Sequence, residues 1–163
     1  MTHTGPAWLQ WLEATAIAAA MREWRWLYPM VEISHIIGFA VLVGASVFFD
    51  LRLLGISRQL PVSGLERHLL RWARASLLLV VPSGAMMFAA HAVEFGENPA
   101  FRLKLALLAT AGLNAAVFHR VSFRVTPPWD RDAVAPVAAK ASAVVSLLAW
   151  TGVIACGRLI AYF

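Results

Sequence analysis

Four long apolar runs constrain this chain more than any other feature. A helix that crosses about 30 Å of hydrocarbon needs roughly 20 mostly apolar residues, and such runs lie at about 27–54, 69–93, 101–121 and 137–160. The first has an almost uncharged centre from Ile33 to Phe49, while Arg71 and Arg74 push the apolar centre of the second to Ala75–His91. No run alternates with period two over about ten residues, which argues against an outer-membrane barrel. With 60% of residues in the AVILMFWYC set and 14% charged, polar side chains are too few to cover a water-soluble surface, which typically needs about 25% charge. The pattern predicts an all-α fold: an integral membrane four-helix bundle over residues 27–163.

The links fit antiparallel neighbours. Gly55–Gly64 is turn-rich, Gly96-Glu97-Asn98-Pro99 is a tight break, and Thr126-Pro127-Pro128-Trp129-Asp130-Arg131-Asp132 opens the loop before the fourth span. Pro136 suits the first turn of that span. Before the first span, Thr4 can cap and Pro6 can start a helix whose Trp8, Trp11, Leu12, Thr15, Ala16 and Ala19 share one stripe. Residues 1–26 thus read as an N-terminal interfacial amphipathic helix ending in an aromatic belt of Trp24, Trp26 and Tyr28. No Lys or Arg precedes Arg22, so a cleaved signal peptide is not expected. No myristoylation signal is present either.

Five cations lie on the side of the N-terminus, the second loop and the C-terminus, and nine on the opposite side. The positive-inside rule then places both termini outside, in a bacterial inner membrane. The charge of +5 follows from this rule and the anionic leaflet, so nucleic acid is not an expected partner. Cys156 stands alone, which excludes an internal disulfide and covalent C-x-x-C-H haem attachment.

Ionisable residues at membrane depth mark either a site or a packing pair. Counting helix rise from each span centre puts His35 about 9 Å and His91 and Cys156 about 10 Å toward the outer side. Met86 and Met87 lie slightly nearer the centre, and Met30 lies above His35. His119 falls about 10 Å toward the inner side, so it does not share a ligand with His35. His68 lies beyond the hydrocarbon and His3 in the tail.

Three chemistries are open to the outer layer. In the first, His35 and His91 hold a b-type haem, since imidazole suits iron and non-covalent haem needs axial ligands on facing helices. Gly38, Ala45 and Gly84 then leave room for the ring, Arg102, Lys104 and Arg158 pair with propionates, and Glu32, one turn before His35, orients its imidazole. In the second, the histidines hydrogen-bond across helices and Glu32 is solvated at the interface. In the third, Met30, Met87, His35, His91 and Cys156 hold copper, for which Met and Cys are soft donors.

The other buried polar groups read as architecture. Asp50 and Arg74 share a depth near the inner side and are expected to pair, and Asn114 is expected to hydrogen-bond between helices. Arg67, Arg71 and Arg74 form a basic stripe suited to lipid headgroups. Hydrolytic and nucleotide-binding motifs are absent, and Ser83-Gly84 is too short a pattern to read as a nucleophile.

The runs Trp26-Leu27-Tyr28-Pro29, Glu32-Ile33-Ser34-His35-Ile36-Ile37-Gly38, Phe49-Asp50-Leu51-Arg52-Leu53-Leu54-Gly55 and Asn98-Pro99-Ala100-Phe101-Arg102-Leu103-Lys104, with the ending Gly152–Phe163, resemble an uncharacterised family of bacterial four-helix membrane proteins. That resemblance implies the fold and names no reaction. A histidine early in one span, a glycine further along it and a lysine near the start of a later span are also similar to two characterised groups. These are the HemJ-type membrane protoporphyrinogen oxidases, which bind b haem, and the copper-resistance D proteins. The matching positions are His35, Gly44 and Lys104, with His119 at the HemJ-like histidine after the lysine-bearing span. Leu42 and Val43 stand where the HemJ-like pattern has a tryptophan, so the resemblance implies haem binding and not the oxidase reaction.

The sequence therefore points to a small membrane cytochrome passing electrons from a quinol-like donor to a periplasmic acceptor. Its rivals are a non-catalytic subunit of a homo-oligomer or larger membrane complex, and a copper-handling protein.

Overall fold

The computed structural model describes residues 5–122 and 134–162, and every regular element within them is helical. In chain order these are α1 (Ala7–Glu13), α2 (Ala16–Glu23), α3 (Leu27–Leu54), α4 (Val62–Ala90), α5 (Ala92–Glu97), α6 (Pro99–Ser122), α7 (Val137–Leu159) and a 3₁₀ turn (Ile160–Tyr162). Four of them, α3, α4, α6 and α7, are long and apolar enough to cross a membrane. Their outer faces are apolar too: Leu78 is 82% exposed, and Phe48 and Leu113 are also open. Such a surface is matched by a lipid bilayer, so the chain is an all-α multi-pass membrane protein. The expected loop segment Thr126–Asp132, with Thr4 and His3, lies outside the described residues.

Local chemistry sets the helix ends. α3 stops at Gly55, whose φ of +107° is left-handed, and the Gly55 and Ile56 amides return to Arg52 O and Leu51 O. At the other end of the bundle Asn98 caps α6: its Oδ1 accepts from the Ala100 and Phe101 amides at 2.9 and 3.1 Å. The same side chain donates from Nδ2 to Ile160 O at 3.1 Å, tying the start of α6 to the end of the chain.

Two expectations need correcting. The single N-terminal helix is two, because Thr15 accepts from the Ala18 amide to cap α2 while donating back to Leu12 O at 2.7 Å. Trp8 and Trp11 of the stripe are exposed, and Leu9 is the buried residue, set against Ala92 and Val93 of α5. The second span starts earlier than 69, at Val62, because intrahelical hydrogen bonds carry a helix beyond its apolar stretch. It ends before 93, at Ala90, where Arg22 donates to Ala90 O at 2.9 Å and to Glu13 O at 2.8 Å. His91 then turns the chain into α5 with φ −139° and ψ 47°. Glu13 Oε1 accepts from the Val93 amide at 2.8 Å, so the N-terminal helices are tied to this bend.

α3 packs along α4 and α7, and α6 packs along α7. Small residues set the closest approaches. A Cβ on Gly38 would lie 2.9 Å from Val80 Cγ2, and one on Gly152 would lie 2.7 Å from Leu107 Cδ1. Gly38 and Ala45 thus bring helices together and are not lining for a flat ring, as the sequence had suggested. Asn114 behaves as expected: its Nδ2 donates to Ser142 O at 2.9 Å and its Oδ1 accepts from Ser142 Oγ at 3.0 Å, joining α6 to α7. Among the described residues α4 and α6 make no extended contact. Because α3 and α7 hold them apart, a space remains inside the bundle.

Candidate functional site

That space is a cavity of about 790 Å³ walled by α3, α4, α6 and α7, within the roughly 300–1,000 Å³ of ligand pockets. Phe39, Leu42, Leu77, Val80, Leu105, Leu108 and Trp150 make its walls apolar. Polar side chains sit at its two ends. His35 and Lys104 mark the end nearer the N-terminal helices, and Asp50, Arg74, Asn114, His119, Ser142 and Ser146 mark the far end.

His35 is seated by α4. Its Nδ1 lies 3.1 Å from Val80 O and 3.0 Å from Ser83 Oγ. A carbonyl oxygen only accepts, so the neutral ring carries its proton on Nδ1 and leaves Nε2 as a lone pair. Ser83 donates its own hydrogen to Leu79 O at 2.6 Å, which leaves its oxygen to accept from His35. Gly84 makes the seat possible: a Cβ there would lie 3.1 Å from His35 Cε1. Pro82, inside α4, removes one ladder hydrogen bond of this same stretch. The imidazole also stacks nearly parallel to Phe39, at 6.4 Å and 10°. These partners are what the sequence reading missed. Their only signal is a serine and a glycine beside a proline in an otherwise apolar span.

Lys104, half-buried on α6, lines both the main cavity and a smaller space of about 170 Å³ shared with His35, Phe39 and Gly157. Its Nζ comes within 3.8 Å of where a Gly157 Cβ would be, so a small residue on α7 leaves room for the ammonium. Met87 lines the cavity one turn beyond Gly84.

Other residues proposed from sequence lie elsewhere. His91 is not a cavity wall: it sits at the α4–α5 bend, edge-on to Tyr28 at 6.1 Å and 3.8 Å from Glu94. His35 rests on Gly84 and His91 follows seven residues later, which is about 10 Å along a helix. The two imidazoles are therefore not brought together. Glu32 is exposed, and the partners of His35 Nδ1 are Val80 and Ser83. Arg102 donates to Gly96 O at 2.8 Å, and Arg158 reaches Tyr162 Oη at 2.9 Å; both are exposed and outside the cavity. Met30 is 55% exposed, whereas Cys156 is buried within α7. Among the described residues no three His, Cys, Asp or Glu side chains gather as a metal-binding group.

At the far end the expected Asp50–Arg74 ion pair is not formed. Arg74 Nε donates to Leu70 O of its own helix at 3.1 Å, while Asp50 shares the cavity wall with Ser146 of α7. Matching depth put the two groups at one level without turning them toward each other. His119 Nδ1 lies 3.6 Å from Glu66 Oε1, linking α6 to α4 at this end.

A family of unknown function, DUF6644, matches residues 8–163, and the chain belongs to it. No curated protein and no solved structure matches the chain, so the likeness to membrane protoporphyrinogen oxidases and copper-resistance proteins rests on the short motifs alone.

Proposed function

We propose that this DUF6644 member is a small membrane cytochrome. Haem b would occupy the His35 end of the cavity, near the periplasmic face of a bacterial inner membrane, with both termini outside. The observation that carries this reading is the seat of His35, whose Nδ1 is held by Val80 O so that Nε2 is the free lone pair on the wall of an apolar cavity. This is the tautomer a metal-bound imidazole uses, with its other nitrogen fixed by a backbone carbonyl. The donor set fits: His35 supplies a nitrogen, Met87 a soft sulfur, and Lys104 a cation for a propionate. Bound haem supplies one-electron chemistry between a quinol-like donor and a periplasmic acceptor. The chain positions the ligand, excludes water with its aromatic and aliphatic walls, and places one positive charge beside the site. Arg102, Arg158 and Glu32, exposed near the same end, are suited to meeting the acceptor. His91 is not a ligand in this reading.

The test is a spectrum of the detergent-purified protein, oxidised and dithionite-reduced, after expression with ample haem. The expected result is a Soret band with resolved reduced visible bands, lost in His35→Ala and kept in His91→Ala. A colourless wild type, or a Soret band that survives His35→Ala, would overturn the reading. Bound copper instead would move attention to Met87 and His35.

A further inference from the structure

The far end of the cavity holds a polar group that the haem reading does not use. Asp50 is 6% exposed, lines the cavity, and has a carboxyl oxygen, Oδ2, without a hydrogen-bond partner. Buried polar atoms are nearly always paired, so an orphan oxygen on a side chain that lines a cavity calls for a donor. Its neighbours do not provide one. Ser146, on the same wall, leaves Oδ2 unsatisfied, Asn114 and Ser142 are bonded to each other, and Arg74 Nε turns to Leu70 O. His119, also on this wall, is set against Glu66.

We infer that Asp50 and Ser146 form a second subsite, which takes the hydroxyl of an apolar, membrane-dissolved molecule of the quinol class. The hydroxyl donates to the Asp50 carboxylate, and the rest of the molecule lies along the apolar wall toward Leu77 and Leu108. α4 and α6 make no extended contact, and the proposal has the ligand enter between them from the bilayer. Asp50 is fifteen residues from His35 on α3, about 22 Å along the helix, so this subsite is distinct from the His35 end. A hydroxyl on an apolar body is shared by quinols and by lipid alcohols such as diacylglycerol. The choice of a quinol rests on the redox reading above; the subsite itself does not.

The test is equilibrium binding of radiolabelled decylubiquinol to the full chain in detergent, with decylubiquinone and dioleoylglycerol as competitors. Wild type should bind the quinol more tightly than the quinone, which lacks the donor. Asp50→Leu should weaken the quinol by about tenfold or more, as expected for losing a hydrogen bond to a carboxylate. Ser146→Ala, which removes the hydroxyl beside Asp50 on the cavity wall, should weaken it less and covers the case in which Asp50→Leu does not fold. His91→Ala, outside the cavity, should leave quinol binding unchanged. A colourless wild type that still binds quinol through Asp50 would sink the haem reading alone. Equal binding of quinol and quinone, or unaltered binding in both Asp50→Leu and Ser146→Ala, would overturn the subsite. Displacement by dioleoylglycerol at much lower concentration than the quinol would overturn the quinol assignment in favour of a lipid alcohol.

Discussion

Alanine at Gly38 and alanine at Gly44 test the bundle with one chemical change on one helix. At Gly38 the new Cβ would lie 2.9 Å from Val80 Cγ2 and 3.3 Å from Leu79 Cβ and Cδ2, whereas at Gly44 it meets nothing within 4 Å. Val80 is β-branched and stiff at χ1, so it cannot swing aside; α3 and α4 must part by some tenths of an ångström. Such overpacking costs about 1–3 kcal/mol. The helix-propensity gain from Gly to Ala, at most about 1 kcal/mol, is common to both positions and cancels in the difference. Gly38→Ala should therefore be less stable than Gly44→Ala by about 1–3 kcal/mol, roughly 5- to 150-fold in the folded ratio. Because Val80 also carries the carbonyl that holds His35, Gly38→Ala should weaken whatever His35 binds, and Gly44→Ala should not. Reversible unfolding in mixed micelles, driven by added dodecyl sulfate and followed by tryptophan fluorescence, measures the difference. Equal midpoints, or a less stable Gly44→Ala, would refute the close α3–α4 seam.

Three further outcomes follow from named contacts. Asn98→Ala removes the cap of α6 and the link to Ile160 O, and should cost about 1–2 kcal/mol in the same unfolding assay. Asn114→Leu breaks the reciprocal pair with Ser142 between α6 and α7; a loss of about 0.5–2 kcal/mol is expected, partly restored when Ser142→Ala is added. Arg22→Ala releases the carbonyls of Ala90 and Glu13. Amide exchange should then speed up across α1, α2 and the His91 bend while α3 and α7 stay protected, and uniform exchange rates would contradict this tether.

How much of this could be read from residue order differs from element to element. The limits of α3 and α7 matched the apolar runs at 27–54 and 137–160 almost residue for residue, because a segment in hydrocarbon must satisfy its own backbone and stay apolar throughout. The end of α4 was not legible, since the group that takes the Ala90 carbonyl is Arg22, 68 residues away in the chain. Asn114 was read correctly as an interhelical bond, because a lone amide amid apolar residues has little else to do. Asp50 and Arg74 match in depth and yet do not pair, since Arg74 Nε turns to Leu70 O of its own helix and Asp50 Oδ2 has no hydrogen-bond partner.

Sequence determined the class of this protein: four apolar runs of spanning length leave a membrane helical bundle as the fold, and their scarce ionisable residues mark the positions to examine. Tertiary structure decided which of those residues share a site. Helix rise gives depth along one axis, but a cavity depends on azimuth and on which helices touch. Only the packing of α3 and α7 between α4 and α6 opens the space that has His35 and Lys104 at one end and Asp50 at the other, and leaves His91 outside it.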